Sequence, residues 1–496
     1  MRRIVVVSNR VAPPDGTGAA GGLAVALGAA LRGRPALWFG WSGERAERFT
    51  GHVSRRRDGD VEVATFDLDE ADYAGFYNGY ANGTLWPLFH SRVDLARFDG
   101  AFREAYQRVN HLFAEALAPQ LSPSDVVWIH DYHLIPLGEA LRRRGFVGPI
   151  GFFLHIPWPA PQLFTALPEH RDLAEALFAY DLVGLQTEEC VRLLEDYLTA
   201  EAGARREGGR IAAFGRALTI GAFPIGLDVD NFVRLAASPP ARRACERMAA
   251  HGIFRQLIVG VDRMDYAKGL EERLLGFERF LQRRPEMARK VIYLQIAPTS
   301  RETIEAYQDV RTRVLALSGR INAVWADIDH APLQCLNRNY SRAELAGVYR
   351  AARVGLVTPL RDGMNLVAKE YVAAQDPADP GVLILSRFAG AATQMRDALI
   401  VNPYSRDELA GALEAALGMD LAERRRRWRR LMDDVSCDNV EAWRDGFLAA
   451  LEATRVPQSE RPRPVTVAIA PAELRAPASL ARLSTPTSPP KSAKPG

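Results

Sequence analysis

Short apolar runs alternate along the chain with longer stretches of helical period. The runs at 4–8, 36–39, 61–66, 126–130, 150–155, 182–186, 219–225, 257–261, 291–296, 323–326, 354–358, 382–386 and 399–402 predict strands. Strands apolar on both faces, separated by helices, argue for parallel sheets in an α/β protein. Seven of the runs precede residue 228 and six follow it. That split favours two Rossmann-like domains facing across a cleft over one large sheet. The boundary falls after FPIGLDVDNF at 223–232, where polar SPPARRA begins at 238. The expected division is 1–235 for the first domain and 236–455 for the second, with the last helices able to pack back on the first. Ligands should then sit in the cleft, at the carboxyl ends of the strands. From 456 to 496 the chain is rich in Pro, Ser and Ala and poor in large apolar residues. It cannot bury enough to offset its ordering entropy, and it reads as a disordered tail.

Composition narrows the picture modestly. A length of 496 residues and a hydrophobic fraction of 48% suit two ordinary cores. Charged residues make up 25% with a net charge of +3, which does not by itself argue for a nucleic-acid partner. The run ERRRRWRRL at 423–431 lies in a helical context and reads as a solvated basic face. Cys190, Cys245, Cys335 and Cys437 are far apart and form no CxxC pair, which fits a reducing compartment and no disulfide framework or zinc site. The first apolar run is broken by Ser8, Asn9 and Arg10, so it is a strand and not a signal peptide. No run is long enough to span a membrane. The expectation is a cytoplasmic protein with no membrane and no nucleic-acid partner.

The candidate chemistry lies where strands end. RDGMNLVAKE at 361–370 follows the strand at 354–358 and opens a helix. A helix N-terminus offers unpaired N–H groups to an anionic phosphate. Asp362 could accept from a sugar hydroxyl and Glu370 from a ribose diol, or Asp362 could simply cap the helix. VDRMDYAKGLEER at 261–273 sets Arg263 and Lys268 in a loop after a strand, where they could neutralise a diphosphate, or pair at the surface with Asp262 and Asp265. WIHDYHLIPL at 128–137 and FFLHIPWPAP at 152–161 end strands at His130, Asp131, His133 and His155. No HExxH and no clear fourth ligand stand there, so hydrogen bonding of a polyol by Asp131 and His155 is preferred to a metal. The glycine-rich loop at 16–22 is not a clean GxGxxG. FYNGYANGTLWPLFH at 76–90 could fill a core or form an aromatic wall for a sugar.

Taken in order, SNR…GGLA, FYN…LWP, WIHDYHL, FFLHIPWP, DRMDYAKG, QIAPTSR and TPLRDGMNLVAKEYVA resemble the α,α-trehalose-phosphate synthases (UDP-forming) of glycosyltransferase family 20, bacterial type. The resemblance covers roughly 1–455. It implies a GT-B fold and transfer of glucose from a nucleotide sugar, usually UDP-glucose, to glucose 6-phosphate. The anomeric configuration would be retained, with no metal and no cofactor, and the partners would be these small substrates and further copies of the chain. On the matching positions it implies that Gly22, His155, Arg263, Lys268, Asp362, Met364, Asn365, Leu366, Val367 and Glu370 bind the donor. Arg10, Tyr77, Trp86, Asp131 and Arg301 would bind the acceptor. Asp131, His155, Arg263, Lys268 and Asp362 would carry the reaction. Trp158, Ala267 and Met264 depart from the family's usual residues and remove none of the charged groups assigned to chemistry. Two alternatives stay open: a related enzyme with an acceptor such as glycerol 3-phosphate, and a non-catalytic binding protein of the trehalose pathway.

Overall fold

β1 (Ile4–Arg10) shows why the sheets form. Val5 and Val7 enter one apolar layer while Ile4 and Val6 enter the opposite one. A strand buried on both faces needs neighbours on both sides and helices above and below. β2 (Ala36–Ala46) and β5 (Val126–His130) flank it in parallel register. The computed structural model describes residues 2–11, 22–251 and 256–454. The proline-rich tail and most of the glycine-rich loop lie outside the described residues. Met1–Arg455 form one compact unit.

The other strands of the first sheet are β3 (Ser54–Asp58), β4 (Val61–Asp69), β6 (Ile150–Phe153), β7 (Leu182–Leu185), β8 (Arg205–Glu207), β9 (Arg210–Ala213) and β10 (Arg216–Ala222). Its order is β3-β4-β2-β1-β5-β6-β7-β10-β9-β8. The run from β4 to β10 is parallel, and β3, β8 and β9 add antiparallel edges. The exposed edges are SRRRD and RRE, whose charges discourage pairing with another chain. The second sheet holds β11 (Gln256–Val261), β12 (Val291–Ile296), β13 (Leu333–Leu336), β14 (Val354–Val357), β15 (Val382–Ser386) and β16 (Leu399–Val401). Its order, β13-β12-β11-β14-β15-β16, is parallel throughout and reverses direction at β11, as a dinucleotide-type fold does.

One predicted strand is wrong. Residues 323–326 (AVWA) close the Glu305–Trp325 helix. Their apolar character seats the end of a long helix, and the strand of that region is β13, LQCL, which is too short to show a period. β3 and β8 are polar, and β9, RIAA, is only four residues long, so none of the three shows as an apolar run. The helix Val440–Ala453 lies on the first sheet, where the rings of Trp443 and Phe447 sit 4.7 and 4.8 Å from that of Trp128. The arginine run lies on the Leu421–Cys437 helix, where Arg426 and Arg427 pair with Glu423 and Arg424 pairs with Asp379. No described helix is long and apolar enough to cross a membrane.

Candidate active site

The carboxyl ends of β1, β5, β6, β11 and β14 converge, and most of the predicted site residues stand on the loops that leave them. The turn after β14 packs directly on the first sheet's end. A Cβ on Gly363 would lie 2.0 Å from the carbonyl oxygen of His155, so only glycine lets the two backbones meet. Asp362 accepts from Lys268 Nζ at 2.6 Å and from Asn365 Nδ2 at 3.0 Å. Burial, the largest single influence, would raise its carboxyl, but Lys268, His90 and Asn365 together hold it below the ordinary range. The helix Leu366–Ala374 is capped by Asn365, whose Oδ1 accepts from Ala368 N–H at 3.1 Å. The possibility that Asp362 caps it is therefore corrected: Asp362 faces the lysine, and Asn365, at φ 97°, turns the chain into the helix. Leu366 and Val367 carry the first N–H groups of that helix, which have no intrahelical acceptor. A Cβ on Gly22 would sit 3.2 Å from Leu366 Cδ1, so the described end of the glycine-rich loop reaches the same place. Met364 is buried beneath it.

Lys268 is held from behind. The fully buried Arg273 guanidinium donates to Lys268 O at 3.1 Å, Thr358 Oγ1 at 2.9 Å and Gln295 Oε1 at 3.0 Å, and pairs with Asp262 at 2.8 Å. It ties the ends of β11, β12 and β14 to the loop that bears the lysine. Of the ion pairs considered for Arg263 and Lys268, only the one between Arg263 and Asp265 forms. Asp262 belongs to Arg273 in the interior, Lys268 belongs to Asp362, and Asp265 is fully buried between Arg263 and Arg301, 3.8 Å from each. Burial would raise the Asp265 carboxyl; Arg301, Arg263 and Lys268 outweigh it and lower it.

Trp86 is the meeting point of the two halves. The Arg301 guanidinium lies 4.1 Å from its ring centroid and that of Arg263 5.5 Å. Arg301 also donates to Tyr132 Oη at 3.1 Å and to Tyr307 Oη. The two predicted cation groups are thus not far apart; Arg263 and Arg301 share one indole and one carboxylate. Tyr77, in the π-helical stretch Tyr73–Leu85, stacks on His133 at 5.8 Å and 10°. Arg10 stands 5.9 Å over Trp41, whose ring lies 6.1 Å from that of Tyr77. Of the stretch 76–90, Phe76, Tyr80 and Trp86 belong to the apolar core and half-buried Tyr77 packs against it.

Asp131 is the most perturbed acid of the cleft. Burial pushes its carboxyl up to about 6, against the N–H groups of His155 and Tyr132 and the cations Arg301 and Arg263. Its backbone, at φ 77° and ψ 163°, occupies a region that side chains avoid. Among the five described non-glycine residues with positive φ, three are Asp131, Arg301 and Asn365, so backbone strain concentrates in this cleft. His155 is bonded through Nε2 to His130 Nδ1 at 3.1 Å, and burial lowers its pKa to about 3. Among the described residues no group of three or more His, Cys, Asp or Glu is arranged to hold a metal ion. Glu370 pairs with Arg342 at 3.1 Å; burial raises its carboxyl and Arg342 opposes that.

Five residues that no sequence motif singles out pack against these groups: Tyr132, His90, Arg273, Tyr307 and Arg342. His90 stacks on Trp86 at 4.1 Å with burial lowering its pKa to about 4. Tyr132 lies in the stretch 128–137 and Asp265 in 261–273, but nothing local marks either as a partner of Arg301.

Comparison with known proteins gives a consistent picture. A family model for glycosyltransferase family 20 matches residues 12–453. A trehalose-6-phosphate synthase from Salmonella choleraesuis (strain SC-B67) is 44% identical over 472 residues, covering 95% of this chain and 99% of that protein. The one from Klebsiella pneumoniae subsp. pneumoniae is 46% identical over 468 residues, covering 93% and 98%. Among solved structures, an alpha,alpha-trehalose-phosphate synthase (UDP-forming) from Burkholderia xenovorans in complex with glucose-6-phosphate superposes with a TM-score of 0.88 at 47% identity, covering 91% of this chain and all of that one. A trehalose-6-phosphate structure from E. coli bound with UDP-2-fluoro glucose gives 0.87 at 45% identity, covering 92% and 99%.

Proposed function

Because this chain belongs to glycosyltransferase family 20 and has its two-sheet GT-B fold, we propose that it transfers glucose from UDP-glucose to glucose 6-phosphate. The product is α,α-trehalose 6-phosphate, with retention at the anomeric carbon and without a metal. The observation that carries the reading is the meeting of Arg263 and Arg301 over one indole, that of Trp86. Lys268, Arg263 and the start of the Leu366–Ala374 helix would serve the donor's diphosphate, and Arg301 with Arg10 and Tyr77 would serve the acceptor's phosphate. Two phosphorylated substrates need two such sites. The relatives bound to glucose-6-phosphate and to UDP-2-fluoro glucose support the same pair of ligands.

In the proposed reaction Arg263, Lys268 and the helix end stabilise the charge that grows on the departing diphosphate. The bond from anomeric carbon to phosphate oxygen loosens to an oxocarbenium-like state. The acceptor hydroxyl bonds to the same face, and its proton passes to the leaving phosphate oxygen. Asp362, Asn365, Met364 and His155 hold the glucose, Glu370 holds the ribose, and Gly22 closes over the donor. Asp131 accepts from acceptor hydroxyls; Arg10, Tyr77, Trp86 and Arg301 take the acceptor's phosphate and ring. A division at 235/236 assigns acceptor binding to the first domain and donor binding to the second. An acceptor panel with UDP-glucose tests this. UDP release with glucose 6-phosphate is expected. Release only with glycerol 3-phosphate would replace the acceptor, and no release with any acceptor would make the chain a binding protein.

A further inference from the structure

Gln186 follows β7 and is buried, with 2% of its surface exposed. Its Oε1 accepts from the backbone N–H of Ile225 at 3.0 Å. A backbone N–H can only donate, so the orientation of this amide is settled by its neighbour. The NH2 end therefore faces the other way, where it lies 3.4 Å from His155 Nδ1. An amide nitrogen can only donate, so Nδ1 must accept, and the proton of the neutral ring sits on Nε2. That proton points to His130 Nδ1 at 3.1 Å. His130 in turn carries its own proton on Nε2, an atom buried without a partner. Burial keeps both rings neutral.

The surroundings leave no competing charge on the ring. His130 comes from β5, Phe153 from β6 with its ring 4.7 Å away, and Trp443 from the Val440–Ala453 helix at 5.9 Å. The nearest carboxylate, Asp131, accepts instead from His155 backbone N–H at 3.2 Å. Lys369 stands beyond Ile225 and donates to its carbonyl at 2.9 Å. Ile225 is thus held on one side by Gln186 and on the other by the helix that carries Glu370.

We infer that Gln186 is a positioning residue for the transferase reaction: its amide locks His155 in one orientation and in the neutral Nε2–H tautomer. The role in the reaction rests on the function proposed above; the tautomer does not. With a single accepting nitrogen turned toward Gln186 and the N–H turned toward His130, the ring cannot rotate without leaving a buried polar group unpaired, and the His155 carbonyl stays fixed under Gly363.

Two measurements on the full chain decide it. Nitrogen-15 spectra of histidine-labelled protein at pH 7.5, with His155 assigned by its loss in His155→Gln, should show the Nε2–H tautomer. Gln186→Glu keeps size and keeps the acceptor for Ile225, but a carboxylate cannot donate to Nδ1. It demands a proton there and favours the charged ring. This variant should lose roughly 100-fold in kcat, the scale of a misplaced group in an active site, with the KM for glucose 6-phosphate near wild type. Its kcat should also fall below a pH at which the wild type is flat. Gln186→Met separates a merely structural role, which would lower the melting temperature and leave kcat at 25 °C unchanged. A wild-type ring in the Nδ1–H or charged form, or a Gln186→Glu enzyme with wild-type kcat and pH profile, overturns the inference. If Gln186→Glu does not fold, the wild-type spectrum decides. If no donor and acceptor pair turns over, the proposed function fails while the spectrum still reports the lock.

Discussion

Asp131→Asn should make the protein more stable at neutral pH while removing its activity. The Asp131 carboxyl is buried, and burial lifts it from an ordinary 3.8 to about 6. A carboxyl that holds its proton more tightly folded than unfolded adds no cost below pH 3.8. The cost grows between 3.8 and 6 and is complete above. At about 1.36 kcal/mol per pH unit, the full cost of keeping the buried charge is roughly 3 kcal/mol. Asparagine removes the charge, keeps one oxygen for the N–H of His155, and tolerates the positive φ of this position better than most residues. Losing the second acceptor costs about 1 kcal/mol at every pH. The melting temperature of the variant relative to wild type should therefore rise as pH goes from 4.5 to 7.5, passing from equal or below to above. Turnover with glucose 6-phosphate should fall steeply, because the group proposed to accept from the acceptor's hydroxyls has lost its charge. Thermal unfolding of both proteins at pH 4.5, 6 and 7.5 reads the difference. A gap that stays constant across this range would show that the Asp131 carboxyl does not carry the cost of burial assigned to it.

Four further substitutions probe the donor half. Arg263→Ala and Lys268→Ala should each lower kcat by about 100-fold or more, the usual scale for a lost charge-stabilising group, with acceptor KM changed only a few-fold in steady-state kinetics. Gly363→Ala should abolish donor binding by calorimetry, because the added Cβ would lie 2.0 Å from a backbone oxygen that cannot step aside. Circular dichroism would show the domains still folded. Asp362→Asn should weaken donor binding with little loss in single-turnover rate, since the carboxylate is already paired with Lys268 at 2.6 Å; a glucosyl adduct trapped on Asp362 would refute that role.

Local pattern revealed the architecture and the places where chemistry gathers. β1, β5, β11 and β14 are apolar on both faces and stood out, and each candidate loop follows a strand end. What could not be read was which partner each group takes. Arg301 and Tyr132 are 169 positions apart and meet only when two sheets face each other. Asp262 and Asp265 look alike in sequence, yet one anchors the interior Arg273 and the other bridges two cleft arginines. The cap of the Leu366–Ala374 helix fell to Asn365 because its neighbour Asp362 is held by a lysine from a distant loop. AVWA at 323–326 misled because an apolar helix end and a short buried strand have the same composition.

The account stands on the claim that one cleft binds a nucleotide glucose and glucose 6-phosphate and joins them with retention. The direct test is product formation from UDP-, ADP- and GDP-glucose with glucose 6-phosphate in the presence of a strong chelator, with the new linkage read by proton NMR. The account predicts turnover with UDP-glucose, undiminished by chelation, and an α,α-linked product. A β-linked product, a requirement for added metal, or turnover of none of the three donors would contradict it.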